Sequence, residues 1–339
     1  MKAPIPTTLQ QFSPKDAHFC IKIENFITSI LHTPLCDTKL LVALSGGVDS
    51  CALLLALNAL SKRCNFSIVA AHFNHKLRPE ADHEEIQVKE LCQTLSIDIV
   101  TDSQDVSVYA SQHKLGIEEA ARTLRYNFLQ KSLIDTCANW IVTAHHANDL
   151  AEDVVMRLIR GTGWPALGGM EGKCNNRKIL RPFLHTPKSS IIAFAKSTGL
   201  TWCEDKSNTD ENFLRNRVRS QIIPLLCKEN PAFLDSITSL WDLAQIDAGY
   251  WKQILDPILS DTPTEQPVLF KEDLLTMPQA MRLRLYKAIL TGMGKGQPLQ
   301  SNLLALDNAW QSNVGGKIIQ FPGNKSATIK KGSIYFSNQ

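Results

Sequence analysis

Through roughly the first 160 residues, short apolar runs alternate with longer stretches of helical period. LLVALS (40–45), FSIVAAHFNH (66–75), IDIVT (97–101) and NWIVTAH (139–145) have the length and aliphatic content of buried strands. Between and after them, residues 49–61, 80–95, 106–133 and 147–160 have the periodicity of helices. This alternation predicts an α/β fold: a parallel sheet with helices on both faces. Ligands of such sheets sit at the carboxyl ends of the strands. The polar clusters fall there: SGGVDS after the first strand, HFNHKLR at the end of the second and HHAND after the fourth.

Residues 161–183 are rich in Gly, Pro and Asn and read as loop. PKSSIIAFAKSTGL (187–200) and 210–227 read as helices, the latter with Leu214, Val218 and Ile222 along one face. KENP (228–231) is a natural boundary, so the expected domains are 1–228 and a smaller, mostly helical 229–339 that ends in a small β element.

Nine cysteines are spaced at least 13 positions apart, which argues against the paired ligands of a zinc site or a redox dithiol and for reduced thiols. No apolar run reaches membrane-spanning length and MKAPIPTTLQQF has no apolar signal core, so a cytoplasmic protein with no membrane partner is expected. Residues 281–339 carry eight Lys/Arg and one acid, a net +7, whereas the first 280 carry 28 basic and 32 acidic groups. That asymmetry suits either an anionic partner at the basic end or a solvated surface.

The glycine pair in SGGVDS lets the backbone turn tightly and approach a ligand. The helix that follows aims free N–H groups and its positive end at the loop, which favours an anion. Ser45 and Ser50 add hydroxyl donors. Asp49 would repel a bare phosphate but fits where a divalent cation bridges carboxylate and phosphate oxygens. A plain helix start capped by Asp49 or Ser45 uses the same residues. The loop is not a Walker A loop: the Gly-Lys pairs at 172–173, 294–295 and 316–317 are followed by Cys, Gly and Ile.

SGGVDS resembles the SGGxDS motif of the PP-loop, or N-type ATP pyrophosphatase, superfamily. HFNHKLRPEADHEE (72–85), GIEEAARTLRYNFL (116–129), TAHHANDLAEDVVMRLIRGTG (143–163), ILRPFL (179–184) and EDKSNTDENFLRNRVRSQIIPLL (204–226) resemble, in order, the further motifs of the tRNA(Ile)-lysidine synthase family. Asn148 and Asp153 depart from that pattern, which often has Asp and Thr there. The resemblance implies a PP-loop, Rossmann-like fold and a ligase that uses ATP and Mg²⁺. It implies that ATP is cleaved to AMP and pyrophosphate, that C2 of the wobble cytidine of CAU-anticodon tRNA(Ile) is adenylated, and that L-lysine displaces AMP to give lysidine, which reads AUA as isoleucine. A homodimer is compatible with it.

By the same resemblance, Ser45, Gly46, Gly47, Val48, Asp49 and Ser50 cradle the phosphates, with Asn74 and Arg125 as further ATP contacts. Asp49, Arg122, His145, Asp149 and Glu152 are the catalytic candidates, and Asp49 and Asp149 the Mg²⁺ candidates. Arg122 and Arg125 are three apart and share a helix face. Asp149 and Glu152 could bind metal or steer the lysine ammonium, and His145 is preferred over His146. His75 is placed near nucleotide or base, and Arg78 on phosphate or a neighbouring acid. Arg215, Arg219, Arg282, Arg284, Lys330 and Lys331 are expected to meet tRNA; Trp164 could stack on a base or simply pack. The rival readings are a small-molecule PP-loop synthetase of the NAD or GMP synthetase kind, another PP-loop tRNA-modifying enzyme, and a non-catalytic RNA-binding module. Position 2 is Lys rather than a Cys nucleophile, which counts against a glutaminase-driven synthetase.

Overall fold

The computed structural model describes residues 5–77, 80–203, 213–262 and 266–338. Arg78 and the 204–212 part of the last motif lie outside the described residues. Packing divides the chain into two compact units, 1–159 with 169–241 and 160–168 with 242–339.

The first unit runs α1 (Pro14–Asn25), β1 (Lys39–Ala43), α2 (Val48–Cys64), β2 (Ser67–Asn74), α3 (Ala81–Leu95), β3 (Asp98–Ser103), α4 (Val106–His113), α5 (Ile117–Asp135), β4 (Trp140–Val142), α6 (Ala147–Ile159), β5 (Lys173–Cys174), β6 (Ile179–Leu180) and α7 (Lys188–Ser197). Then follow α8 (Leu214–Arg217), a widened turn at Val218–Ile222, α9 (Ile223–Glu229) and α10 (Phe233–Asp261). The sheet order is β3-β2-β1-β4-β6-β5, parallel except for β5. This is the α/β architecture the alternation predicts. The chain reverses its winding between β1 and β4, the crevice where doubly wound sheets bind ligands.

The core explains the pattern. Helix α2 is apolar almost all round, and Leu53, Leu54, Leu55, Leu57 and Leu60 are fully buried beneath α1 and α7. Each leucine contributes about 1.5–3 kcal/mol of burial. Two features differ from the expectation. The span 106–133 is two helices, because Lys114 closes α4 in the left-handed conformation and Gly116 starts α5. The loop-like 161–183 hides β5 and β6, two residues each and too short for any periodicity to show. The packing division falls after the KENP turn, because Ile237 and Trp241 of α10 join the first core.

In the second unit, the latter part of α10 is followed by β7 (Val268–Leu269), α11 (Lys271–Thr276), α12 (Gln279–Gly292), α13 (Gln300–Gln311), β8 (Ile318–Phe321), β9 (Lys325–Lys330) and β10 (Ser333–Asn338). The strands form an antiparallel sheet in the order β7-β10-β9-β8 over a core that includes Leu285, Tyr286, Leu306 and Phe336.

Candidate active site

At the β1/β4 switch the first unit opens a cavity of about 510 Å³. Its walls include Ser45, Asp49, Ser50, His72, Asn74, Arg125 and His145, with Phe73, Phe128 and Leu129 supplying an apolar side. The loop after β1 is held by its own serines. The backbone N–H of Ser45 donates to Ser50 Oγ (3.1 Å), the Ser50 hydroxyl donates to the Gly47 carbonyl (3.0 Å), and the two hydroxyls lie 3.0 Å apart. Gly46 has φ +89°, and a Cβ there would stand 3.2 Å from Val88 Cγ2, so both the turn and the space demand glycine. Gly47 is extended at the N-cap of α2 without a side-chain cap, and Val48 is the first helical residue, so the helix start is not closed by the protein itself.

Asp49 does not cap the helix. Its Oδ2 is 3.3 Å from Lys188 Nζ and 3.7 Å from His146 Nε2, while Oδ1 is buried without a partner. A buried, unpartnered carboxylate oxygen is costly unless a ligand completes it. Among the described residues no group of three or more His, Cys, Asp or Glu could hold a metal by themselves. A divalent cation here would therefore draw its remaining ligands from outside the protein, as Mg²⁺ does when it bridges a carboxylate and phosphates.

Two histidines extend the pattern. His72 donates Nδ1–H to the Leu44 carbonyl (2.8 Å), which leaves Nε2 as a buried, unpartnered acceptor at the cavity. His75 Nδ1 is also buried and unpartnered, and burial with nearby Arg125 lowers its pKa to about 4. Arg125 lines the cavity with no carboxylate partner among the described residues; its guanidinium lies 5.6 Å from the Tyr126 ring centre. Burial lowers its pKa first, and Arg122 adds to the effect, so an anion entering the cavity would relieve it. Arg122 is exposed over Tyr126 (5.0 Å) and is not among the residues that line the cavity. Asn74 does line the cavity. Its amide donates to Asp82 Oδ1 (2.8 Å) and Glu85 Oε2 (3.0 Å), and its oxygen accepts the Lys76 N–H (2.9 Å), so its bonding capacity serves the turn after β2.

Strand β4 ends at Val142, and the irregular 143–146 segment lets adjacent histidines serve one centre. His145 lines the cavity, with Nδ1 2.9 Å from Thr143 Oγ1, and burial drives its pKa down to about 3. His146 is the residue the sequence reading passed over. It starts α6 in a reciprocal cap: its backbone N–H donates to Asp149 Oδ2 (3.0 Å), and the Asp149 N–H donates to its Nδ1 (3.3 Å). That tautomer turns Nε2–H towards Asp49. Burial raises the Asp149 pKa, but His146 and then His145, the backbone N–H and Arg215 hold it below the ordinary carboxylate range.

Glu152 lies one turn further along α6 and is 2% exposed. Arg215 Nε donates to its Oε2 (2.9 Å) and Arg219 Nε to its Oε1 (2.6 Å). The same two guanidinium groups reach Asp149 Oδ1 at 3.3 and 3.4 Å. Arg215 and Arg219 thus both turn to the acids of α6. With both Asp149 oxygens engaged, Asp49 is the better-placed metal candidate. Asn148 Oδ1 accepts the Lys188 backbone N–H (3.0 Å) and so anchors the start of α7, while Asp153 pairs with Arg157 (2.8 Å). Both departures from the motif are thus structural.

In the second unit Arg282 is held by its own domain. It is buried, with Nε 2.7 Å from Asp307 Oδ1 and Nη2 3.0 Å from Oδ2, and its guanidinium packs on Trp310. Arg284 lies 4.0 Å over the Trp251 ring and donates to the Ala280 carbonyl. Lys330 and Lys331 are exposed. Trp164 donates its indole N–H to Asp247 (2.5 Å), a packing role.

A mostly parallel doubly wound sheet with SGGVDS at its switch point defines a PP-loop protein, and residues 16–226 match the PP-loop domain family. The chain is 44% identical over 315 residues to the tRNA(Ile)-lysidine synthase of Nitratidesulfovibrio vulgaris, covering 87% of this chain and 91% of that one. It is 39% identical over 227 residues to the tRNA(Ile)-lysidine synthase of Thermosipho africanus, covering 65% of this chain and 53% of that one. Among solved structures, the U34-tRNA thiolase NcsA from Methanococcus maripaludis shares the fold at TM-score 0.57 and 18% identity, over 68% of this chain and 79% of that chain. The chain belongs to the tRNA(Ile)-lysidine synthase family.

Proposed function

We propose that this chain ligates L-lysine to C2 of the wobble cytidine of CAU-anticodon tRNA(Ile), with ATP cleaved to AMP and pyrophosphate. The observation that carries the reading is a buried Asp49 Oδ1 and an Arg125 that, among the described residues, have no hydrogen-bond and no carboxylate partner respectively, beside an uncapped helix start, in a chain 44% identical to a named lysidine synthase. ATP binds with its base against the apolar wall and its phosphates on Ser45–Ser50 and Arg125. Asp49 is the residue that would hold Mg²⁺, which when bound offsets phosphate charge and fixes the phosphate geometry.

The cytidine C2 oxygen bonds the α-phosphorus, the bond from that phosphorus to the bridging oxygen breaks, and its electron pair leaves with pyrophosphate. The lysine ε-amine then bonds C2, AMP leaves with the C2 oxygen, and the amine proton passes to a base. His72 Nε2, buried and unpartnered at the cavity, can accept that proton. Asp149 and Glu152 with Arg215 and Arg219 form a paired-charge cluster beside Asp49, whose acids suit an ammonium and whose guanidinium groups suit a carboxylate. They are assigned to lysine. In the second unit, Lys330 and Lys331 at the β9–β10 turn are assigned to tRNA phosphate, together with exposed Lys271 and Lys317 at the same end of the sheet.

Product analysis with labelled ATP tests this reading. Pyrophosphate is expected only when tRNA is present, and AMP only when both tRNA and lysine are present. ADP as the product, or ammonia replacing lysine, would overturn it.

A further inference from the structure

A Walker A loop brings its own lysine to the phosphates. SGGVDS carries none, and the donors the loop itself offers a triphosphate are neutral: the hydroxyls of Ser45 and Ser50 and backbone N–H groups. The fold supplies a cation from elsewhere. Helix α7 packs along α2, and its first residue, Lys188, comes to the start of α2 from 139 positions away in the chain. Asn148 accepts the Lys188 backbone N–H and so fixes where the side chain begins. Its ammonium stands 3.3 Å from Asp49 Oδ2, and its side chain keeps 45% of its exposure, so a ligand at the loop can reach it. Asp49 thus has one oxygen on Lys188 and the other buried without a partner.

We propose that Lys188 is the phosphate-binding lysine of this loop, delivered by the same chain from the start of α7, and that it contacts the β and γ phosphates of ATP and the departing pyrophosphate. The inference rests on the ATP reading of the cavity. Asp49 Oδ2 holds the ammonium at the loop before ATP arrives, and Oδ1 is left for the divalent cation. When the bond between the α-phosphorus and the bridging oxygen breaks, the electron pair leaves on pyrophosphate, and the ammonium neutralises part of that charge without itself losing a proton. A mobile point charge suits phosphates that change position during the reaction.

The test is calorimetric binding of ATP and of AMP, with Mg²⁺ and without tRNA or lysine, to the wild-type chain and to Lys188→Met, Lys188→Gln and Lys188→Arg. Loss of one charge-assisted contact should weaken ATP binding roughly tenfold to a hundredfold in the Met and Gln variants. AMP has no β or γ phosphate, so its affinity should stay within about twofold in every variant, which also reports an intact fold. Arg should restore most of the ATP affinity. Equal ATP affinity in the wild type and both neutral variants, or parallel loss of ATP and AMP, overturns the role of Lys188 alone. A wild-type chain that binds neither nucleotide overturns the ATP reading itself.

Discussion

Each unit pairs arginines with buried acids, and the two clusters do opposite things. In the second unit Asp307 is fully buried and receives Arg282 through both oxygens, with Gln279 (3.0 Å), Gln311 (2.7 Å) and Tyr286 (3.3 Å) completing it. Burial raises its pKa, yet Arg282 and Gln279 hold the carboxyl below its ordinary range. In the first unit Arg215 and Arg219 pair with Asp149 and Glu152, but the neighbouring Asp49 Oδ1, His72 Nε2 and His75 Nδ1 are buried and unpartnered. A closed network holds a fold together. An open one beside a cavity is arranged for something that binds.

If that contrast is right, the sharpest way to break it is at Asp49. Asp49→Asn should lower the rate of lysidine formation by about a thousandfold, because it removes a charge placed for metal-bound phosphate. Thermal unfolding should barely change, since Asp49 caps nothing. A near-wild-type rate would move Asp49 to the structural side of the comparison.

The opposite result is expected in the second unit. Asp307→Ala strands a buried guanidinium and should cost about 3–5 kcal/mol of stability in urea denaturation. The rate per folded molecule should hold. A stable variant with weakened tRNA binding would place Arg282 on the RNA after all.

Acid should probe the open side next. His145 and His75 have folded pKa values of about 3 and about 4, below the ordinary 6.5. Each is held neutral in the fold and takes up a proton on unfolding at mildly acid pH, so the unfolded state binds more protons between about pH 6.5 and pH 4. Stability is therefore intact above pH 6.5 and falls as the pH drops through that window, by at most about 2.7 kcal/mol per pH unit for the two together. Denaturation midpoints at pH 7 and pH 5 should show this, and His145→Gln with His75→Gln should flatten the dependence.

These contrasts also show what a sequence can carry. The loop after β1 was legible because its parts are adjacent: two glycines, two serines and an aspartate between apolar blocks. Glu152 and Asp149 were legible as acids on one face of α6. Their partners were not, because Arg215 and Arg282 are the same residue on the same kind of amphipathic helix. Only the distant Glu152 and Asp307 tell the structure how each is used. Lys188 carried no signal at all, as a lysine at the start of an ordinary helix. His146 was passed over because a regular strand end would admit one histidine, and the chain leaves the strand at Val142. β5 and β6 were invisible at two residues each.

The smallest effect concerns the basic end. Lys330→Glu with Lys331→Glu should weaken tRNA binding and reduce its dependence on salt by roughly 0.7 log units per lost phosphate contact. Filter binding at two salt concentrations measures both, and the affinity for ATP should not move.

The central claim is that the open cluster of the first unit is where lysidine is made. The direct measurement is a nucleoside digest of CAU-anticodon tRNA(Ile) after incubation of the wild-type chain with ATP, Mg²⁺ and labelled lysine, alongside Asp49→Asn and Asp307→Ala. The account predicts labelled lysidine in proportion to AMP released by the wild-type chain, little from Asp49→Asn, and a wild-type yield per folded molecule from Asp307→Ala. Labelled nucleoside absent from the wild-type digest, or undiminished in Asp49→Asn, would contradict it.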